Sequence, residues 1–183
     1  MQRELVERAQ RGDRTAFAEL ASASIARLFN IAQLMLHDRD MADDAVQETL
    51  VQAWRDLRSL RDPNGFDAWM HRVLVRCVYR EADRERRRST STVQLPQAGV
   101  DADASANVAD RDAIDRAFQR LRPEHRVVLV LHHYLGFTDD EAAAAMAVPP
   151  GTVKSRLNRA KAALRSALEA DARGSGLAVE SAR

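Results

Sequence analysis

The sequence predicts an all-α protein of two small helical domains joined by a flexible linker, with a helix-turn-helix in the second domain. Apolar residues recur every three or four positions along most of the chain, which is typical of amphipathic helices. Aromatic residues make up only 5% of the chain, and only 7 of its 183 residues are glycine, which also favours helices. Residues 89–110 have no period and no lysine or arginine, so this stretch cannot bury enough apolar surface to fold alone. We therefore predict domains at 1–88 and 111–170, a flexible linker at 89–110 and a disordered tail at 171–183.

Composition disfavours several classes of protein. Cys77 is the single cysteine, so a disulfide framework and a cysteine-rich zinc site are impossible. The sequence has no apolar run of about 18 residues and no signal peptide, so we expect a cytoplasmic protein without membrane insertion. No glycine-rich phosphate loop, Ser-His-Asp arrangement or His-Glu-x-x-His motif supports an enzyme, so we expect no catalytic residues and no cofactor. The net charge of +1 excludes little, because the basic residues are clustered.

The N-terminal segment predicts a short helix followed by a longer one. Leu5, Val6 and Ala9 share one helical face, and Gly12 follows as the residue that ends the helix. Asp13 is well placed to cap the second helix, because its carboxylate can accept a hydrogen bond from a free N–H of the first turn. The second helix then has apolar residues at helical spacing until a polar break at 37–40.

Asp40 precedes a long predicted helix from 41 to about 60. One broad stripe of this helix is apolar, and the opposite side is polar and acidic. From the residues alone, the acidic side is either a solvated surface or a face that binds a basic partner, and the solvated surface is the default interpretation. The apolar stripe comprises Ala45, Val46, Thr49, Leu50, Ala53, Trp54 and Leu57, and the polar side comprises Asp43, Asp44, Gln47, Glu48 and Gln52.

A turn at 60–65 separates this helix from a basic one, predicted from Phe66 to about residue 88. Arg72, Arg76 and Arg80 are spaced by four and therefore share one helical face. Between 72 and 88 there are seven arginines and three acidic residues, whereas a solvated helix more often alternates its charges. The pattern favours a nucleic-acid contact on this face.

The second domain begins with a helix opened by Asp112, and Pro123 suits the first position of the next helix. That helix is apolar on nearly all sides between 127 and 131, so we expect it at the centre of its bundle. His132 and His133 raise the question of a metal site. Because they are adjacent they point to different faces of a helix, and we predict no metal site.

A helix-turn-helix is predicted near the C-terminus. Thr138 and Glu141 have the spacing of a capping box, so a helix begins there. Val-Pro-Pro-Gly at 148–151 cannot continue that helix, and a second one begins near Thr152. Between 152 and 165 there are five basic residues and no acidic one, which predicts a recognition helix in a DNA major groove. From the residues alone, a simple antiparallel helix pair with a solvated basic face is the alternative.

Four stretches resemble, in the same order, the extracytoplasmic-function (ECF) sigma factors of bacterial RNA polymerase. Gly-Thr-Val-Lys-Ser-Arg-Leu-Asn-Arg-Ala at 151–160 resembles their recognition helix. Ala-Asp-Asp-Ala-Val-Gln-Glu-Thr-Leu-Val-Gln-Ala-Trp-Arg at 42–55 resembles the helix that binds the beta-prime clamp helices. Phe-x-x-Trp-Met-x-Arg-Val at 66–73 resembles the segment that melts and recognises the minus-10 element. Residues 121–131 resemble the start of the family's C-terminal domain.

The resemblance implies the partners and the residues that contact them. The partners are core RNA polymerase, through its beta-prime clamp helices and beta flap, promoter DNA, and in some members an anti-sigma factor. The implied core-polymerase residues are Asp43, Asp44, Gln47 and Glu48. The implied minus-10 residues are Asp62, Asn64, Gly65, Phe66, Trp69, Arg72, Arg76 and Arg80. The implied minus-35 residues are Thr152, Lys154, Ser155, Arg156 and Arg159.

The resulting prediction is a sigma factor that binds core polymerase and directs promoter-specific initiation, including melting of the minus-10 element. A stand-alone helix-turn-helix regulator is the alternative that the C-terminal half by itself would support. A helical adaptor that makes no sequence-specific DNA contact is a third class. The N-terminal domain discriminates between them, because a repressor has no use for a melting loop.

Overall fold

The computed structural model describes residues 1–89 and 106–180, and within these ranges the chain is helical with no strand. The N-terminal helices are α1 Gln2–Gln10, α2 Arg14–Leu36, α3 Arg39–Asp56 and α4 Phe66–Ser89, with short 3-10 turns at Leu57–Ser59 and Pro63–Gly65 between α3 and α4. The C-terminal helices are α5 Ala106–Gln119, α6 Pro123–Leu129, α7 Asp139–Met146 and α8 Pro150–Glu180, with a π-helical turn at Val130–Tyr134 after α6.

Local sequence signals fix most helix ends in the first domain. Gly12 has a φ of +97°, and Asp13 accepts a hydrogen bond from the N–H of Ala16 at 3.0 Å, so both predictions for the α1–α2 turn are confirmed. The start of α3 was predicted wrongly. Asp38, not Asp40, caps it by accepting from the N–H of Met41 at 2.9 Å. The reason is His37, whose left-handed backbone (φ 57°) ends α2 immediately before Asp38.

The helix-turn-helix also follows its local signals. The Thr138 hydroxyl accepts from the N–H of Glu141 at 3.3 Å, and the Glu141 carboxylate accepts from the N–H of Thr138 at 2.9 Å, which confirms the capping box. Ala147, with a φ of 53°, ends α7 in the left-handed conformation. The next helix begins at Pro150, two residues before the predicted Thr152, because a proline in the first turn sacrifices no helical hydrogen bond.

Helices extend into both segments that were predicted to lie outside the domains, and the domain boundaries themselves stay predictions. The linker was predicted at 89–110, but Ser89 ends α4 and 106–110 belong to α5; residues 90–105 lie outside the described ranges. The tail was predicted to be disordered from 171, but α8 continues to Glu180, and 181–183 lie outside the described ranges. Asp171 anchors this extension by pairing with Arg116 at 3.4 Å and Arg120 at 2.6 Å.

Buried apolar residues of both domains form one continuous cluster in the described part of the chain. In the first domain α3 packs on α4 and α2, and in the second α6 and α7 pack on α8. Most of the predicted α3 stripe is buried, including Thr49, whose hydroxyl donates to the carbonyl of Ala45 at 2.6 Å. Trp54 differs, because its side chain lies at the edge of the stripe and stacks obliquely on Phe17 with 5.0 Å between ring centroids.

Arg126 joins the two domains. The residue is 8% exposed, and its guanidinium donates to the carbonyls of Met35 and Leu36, both at 2.8 Å, and to that of Gln119 at 3.3 Å. The carbonyls at the end of α2 have no partner within their own helix, so a cation there satisfies them and complements the helix dipole. This contact, together with the packing of α4 on α7, places the basic helix of the first domain against the helix-turn-helix of the second.

No helix within 1–89 or 106–180 has the length and apolar content required to cross a bilayer.

Candidate polymerase and nucleic-acid interfaces

An exposed stripe runs along α3. Asp43, Asp44 and Gln47 are exposed, and the Gln47 amide donates to the Asp43 carboxylate at 3.1 Å. Farther along the same face, Val51 is 51% and Trp54 37% exposed. The stripe is thus acidic at one end and apolar at the other, which suits a protein partner more than a nucleic acid. Trp54 was predicted in the apolar stripe, and Val51 was not predicted at all. Val51 lies four positions after Gln47 and three before Trp54, a spacing that indicates a shared face.

Glu48, predicted as part of the polymerase surface, points elsewhere. Its side chain is only 26% exposed and pairs with Arg80 at 3.0 Å and with Arg84 at 3.2 Å. Glu48 follows Gln47 by one position, which turns it by about 100° around the helix and towards α4. Glu48 therefore forms an ion-paired link between α3 and α4, and its contact with the polymerase stays a prediction.

The turn before α4 presents a polar tip. The Asp62 carboxylate accepts from the N–H of Asn64 at 3.0 Å and from its side-chain amide at 3.1 Å. The Gly65 N–H donates to the Asp62 carbonyl at 3.0 Å, and Pro63 occupies the first position of the 3-10 turn. Asp62 and Asn64 are exposed and Gly65 is half-buried, so these three predicted minus-10 residues lie together at an accessible, locally ordered loop.

Phe66 and Trp69, also predicted as minus-10 residues, are core residues. Phe66 is 1% exposed and Trp69 8%, and their ring centroids are 6.1 Å apart. The residues that resemble the family motif therefore support the loop from beneath. We correct the predicted DNA contact of these two side chains, since neither presents a free face to a base in this conformation.

The three arginines spaced along α4 differ in their surroundings. Arg76 is exposed and has no ion pair within the described residues. Arg80 is exposed but engaged by Glu48, and it also donates to the sulfur of the buried Cys77 at 3.2 Å. Arg72 is half-buried and lies near Glu141 of the second domain. The pKa of Glu141 is lowered mainly by its hydrogen bonds from Thr138 and, to a lesser extent, by the charge of Arg72.

The predicted recognition helix is the N-terminal part of α8, and its polar residues are partly exposed and partly half-buried. Lys154 and Arg159 are exposed. Thr152, Ser155 and Arg156 are half-buried, and the Ser155 hydroxyl donates to the carbonyl of Thr152 at 3.0 Å. On the opposite side, Val153, Leu157 and Ala160 are buried as predicted, while Leu164 and Leu168 are half-buried.

Arg156 faces the first domain. Burial raises the pKa of Tyr79 on α4 to about 12, against the opposing effect of the Arg156 guanidinium nearby. A cleft of about 400 Å³ separates α3 and α4 from α7 beside this contact. The cleft is lined by Gln52, Arg76, Tyr79, Arg80, Ala145, Met146 and Ala147. The predicted minus-10 helix and the predicted minus-35 motif therefore face each other across a narrow space.

No three His, Cys, Asp or Glu side chains converge as a metal site among the residues that the structure describes. His132 lies 3.9 Å from Asp139, and its ring meets that of His133 edge-on with 4.9 Å between centroids. Burial, Lys161 and His132 lower the pKa of His133.

Comparison with known proteins identifies the family. The family described as Sigma-70 region 2 matches residues 20–88, and Sigma-70, region 4 matches residues 111–164. ECF RNA polymerase sigma factor SigM of Mycobacterium tuberculosis (strain H37Rv) is 34% identical over 154 residues, which cover 84% of this chain and 77% of SigM. The chain belongs to the ECF sigma factors. RNA polymerase sigma-H factor of Pseudomonas aeruginosa is 30% identical, with 91% of this chain and 93% of that protein covered.

Two solved structures share the fold. Sigma factor RpoE of Bartonella quintana, in complex with the anti-sigma factor NepR, superposes with a TM-score of 0.67 at 25% identity. That match covers 85% of this chain and 98% of RpoE. CnrH, in complex with the cytosolic domain of CnrY, gives a TM-score of 0.61 at 26% identity and covers 93% of this chain and 98% of its own.

Membership decides between the functions that the sequence left open. This ECF sigma factor has its region 2 match in the domain of α1 to α4 and its region 4 match in the domain of α5 to α8. A stand-alone helix-turn-helix regulator is not favoured, because it accounts only for the second of these. The function is that of a sigma factor in transcription initiation.

Proposed function

We propose that this sigma factor binds core RNA polymerase through the exposed stripe of α3 defined by Asp43, Asp44, Gln47, Val51 and Trp54. This stripe is the observation that carries the proposal. Its acidic end can pair with basic side chains and set the register of the complex, and its apolar end can bury surface against the same partner. The beta-prime clamp helices are the expected partner, and the beta flap is the expected partner of the second domain.

The loop at 62–65 and the basic face of α4 are proposed to engage the minus-10 element. Separating a duplex costs about 1.4 kcal/mol for each stacked step. A protein offsets this cost by holding an extruded base and by neutralising the phosphates of the separated strand. The exposed side chains of Asp62 and Asn64 provide hydrogen-bonding groups for a base. Arg76, which has no ion pair among the described residues, provides a cation for the backbone.

The recognition helix is proposed to bind the minus-35 element with Lys154 and Arg159, which are exposed, and with Arg156 once it is uncovered. Arginine can pair with the two acceptors of a guanine edge, and such a contact discriminates by about 1–3 kcal/mol. Thr152 and Ser155 lie at the start of the same helix, where a helix-turn-helix approaches base edges and phosphates.

Promoter binding in this scheme requires the two domains to separate. Helices packed against each other lie within about 10 Å, as α4 and α7 do. The minus-10 and minus-35 elements are roughly 25 base pairs apart by their names, which corresponds to about 85 Å of duplex at ~3.4 Å per base pair. We infer that core polymerase holds the domains apart, breaking the Arg126 contact and uncovering Arg156.

An anti-sigma factor is a further proposed partner. RpoE and CnrH were both solved in complexes, the former with a named anti-sigma factor. The extensive likeness of the fold supports a similar complex for this chain, formed in the cytoplasm where polymerase works. The proposed role is that of a binding factor with no catalytic residues of its own.

Core binding tests the proposal. Asp44→Arg reverses a charge at the acidic end of the exposed stripe and should lower the affinity for core polymerase by about a hundredfold or more, because like charges at an interface cost several kcal/mol. Glu169→Arg reverses an exposed charge on α8 and should bind normally. Anisotropy of labelled protein titrated with core measures both variants. An Asp44→Arg variant that binds like wild type would show that the α3 stripe is not the polymerase surface.

A further inference from the structure

The N-terminal helix α1 bridges the loop at 62–65. On the side of the loop that follows α3, the side-chain amide of Gln10 donates two hydrogen bonds. Its acceptors are the carbonyl of Leu57 at 3.1 Å and that of Leu60 at 2.7 Å. One amide group thus holds two carbonyls of the segment that leads into the loop. Both hydrogen bonds are partly buried and join residues about fifty positions apart in sequence.

The other end of α1 holds the other end of the loop. The side-chain amide of Gln2 donates to the carboxylate of Asp67 at 3.0 Å, and Asp67 lies in the first turn of α4. Arg27 of α2 reaches the same carboxylate at 3.3 Å and contacts the ring of His71 at 3.1 Å. The first turn of α4 is therefore tied to both α1 and α2.

The position of α1 is itself fixed. Arg8 donates to the carboxylate of Asp13 through two nitrogens, at 3.0 and 2.7 Å, across the turn between α1 and α2. Asp13 also caps α2. Val6 and Ala9 are buried in the core, so α1 cannot move with the loop without exposing these side chains. The side chain of Gln10 therefore connects a firmly packed helix to the short turn between α3 and α4.

We propose that α1 acts as a splint for the promoter-melting loop and that Gln10 is a positioning residue for Asp62, Asn64 and Gly65. The inference rests on the proposed function of that loop. A loop ordered before binding loses less conformational entropy when it captures a base, so the splint accelerates melting. Gln10 does not contact DNA in this account; it acts through the carbonyls of Leu57 and Leu60.

Gln10→Glu tests the hydrogen bonds with little change of shape. An ionised carboxylate only accepts hydrogen bonds, so it cannot hold two carbonyls. Gln10→Lys restores a donor at the same position. Glu7→Gln is the matched control, because it makes the reverse exchange on α1 and removes only the ion pair with Arg3 at 2.9 Å.

Two measurements test the proposal: one reports the local stability of the loop region, and the other reports the rate of promoter melting. Hydrogen exchange is measured at the amides of Leu60 and Gly65, which donate within the two 3-10 turns at 3.1 and 3.0 Å. Permanganate footprinting of the holoenzyme measures the rate of bubble formation. We expect Gln10→Glu to exchange these amides about tenfold faster and to open promoters about tenfold more slowly, with normal rates on a pre-melted template. Gln10→Lys should approach wild type, and Glu7→Gln should match it.

The role of Gln10 and the melting function of residues 62–65 can fail independently of each other. Wild-type exchange and melting in Gln10→Glu, or faster exchange without slower melting, would overturn the role of Gln10. A Gln10→Lys variant as defective as Gln10→Glu would also overturn it, since a donor would then not be what matters. The function of the loop is tested separately by replacing residues 62–65 with glycine and serine. If that holoenzyme melts promoters normally, the loop itself is not the melting element.

Discussion

At the scale of single residues, His71 is a buried imidazole whose proton state is linked to folding. Burial, followed by the charge of Arg27, lowers the pKa of His71 to about 4 from the ordinary 6.5. Between these values the unfolded chain binds a proton that the folded chain does not. The contribution of His71 to stability is therefore fully present above pH 6.5 and is lost as the pH falls towards 4.

We predict that His71→Gln flattens this dependence. Glutamine can still accept a hydrogen bond from Arg27 but does not titrate. With solvent screening at the edge of the site, the wild type should lose about 2 kcal/mol of unfolding free energy between pH 6.5 and 4 relative to the variant. Urea unfolding at several pH values measures the difference. Parallel pH profiles for the two proteins would contradict the assignment.

Glu48 and Asp44 lie on the same helix but should respond differently to neutralisation. Glu48 holds Arg80 and Arg84, whereas Asp44 is exposed on the α3 stripe. We predict that Glu48→Gln lowers stability by about 0.5–1 kcal/mol, the usual worth of partly exposed ion pairs, and lowers Tm by about 2–3 °C. Asp44→Asn should leave Tm unchanged and weaken core binding instead. Thermal unfolding and titration with core polymerase are measured for both variants. A lower Tm in Asp44→Asn together with weaker core binding in Glu48→Gln would refute the prediction.

At the scale of helices, the recognition helix is proposed to make base contacts and phosphate contacts with different residues. Arg159 lies on its exposed face in the N-terminal half, whereas Lys161 follows farther along. We predict that Arg159→Ala weakens minus-35 binding and relaxes base preference at one position by about 1–3 kcal/mol. Lys161→Ala should lower affinity evenly and reduce the salt slope by about one. Selection by the holoenzyme from a randomised minus-35 library decides it; unchanged preferences in Arg159→Ala would exclude that residue as a reader.

Helix ends and helix faces were predictable to different degrees. Asp13 and the pair Thr138–Glu141 make hydrogen bonds to backbone three residues away, so the sequence alone identifies them. Asp38 was missed because the left-handed turn at His37 has no strong local signal. The ion pairs of Glu48 were not predicted, because periodicity indicates which residues share a face but not which charged residue meets a neighbouring helix.

The candidate DNA residues show the same limit. Phe66 and Trp69 match a family motif, and the motif does not distinguish a side chain that contacts DNA from one that supports the loop. The role of Gln10 could not be predicted from the sequence, because its partners are the carbonyls of Leu57 and Leu60, about fifty positions away. Such contacts arise only when tertiary packing brings α1 beside the turn after α3.

At the scale of the whole molecule, Arg126 keeps the two domains together. We predict that Arg126→Met weakens this contact, because the buried carbonyls of Met35 and Leu36 lose their donor at a cost of about 1–3 kcal/mol each. Arg122→Met, at an exposed neighbouring position, is the control.

Small-angle scattering measures the result. A compact chain of this length has a radius of gyration of about 16 Å, and the Arg126→Met variant should exceed the control by several ångströms. The more open variant should also bind minus-35 DNA more tightly without polymerase, because Arg156 is released from Tyr79. Equal radii and equal DNA affinities in the two variants would show that Arg126 does not hold the domains closed.

Transcription by core polymerase supplied with this protein tests directly whether the chain acts as a sigma factor. Core is incubated with genomic fragments, with and without the protein, and the 5′ ends of the transcripts are sequenced. We expect discrete new start sites that share one minus-35 and one minus-10 element and that disappear with Asp44→Arg. Transcript starts that are the same with and without the wild-type protein would contradict a sigma factor function for this chain.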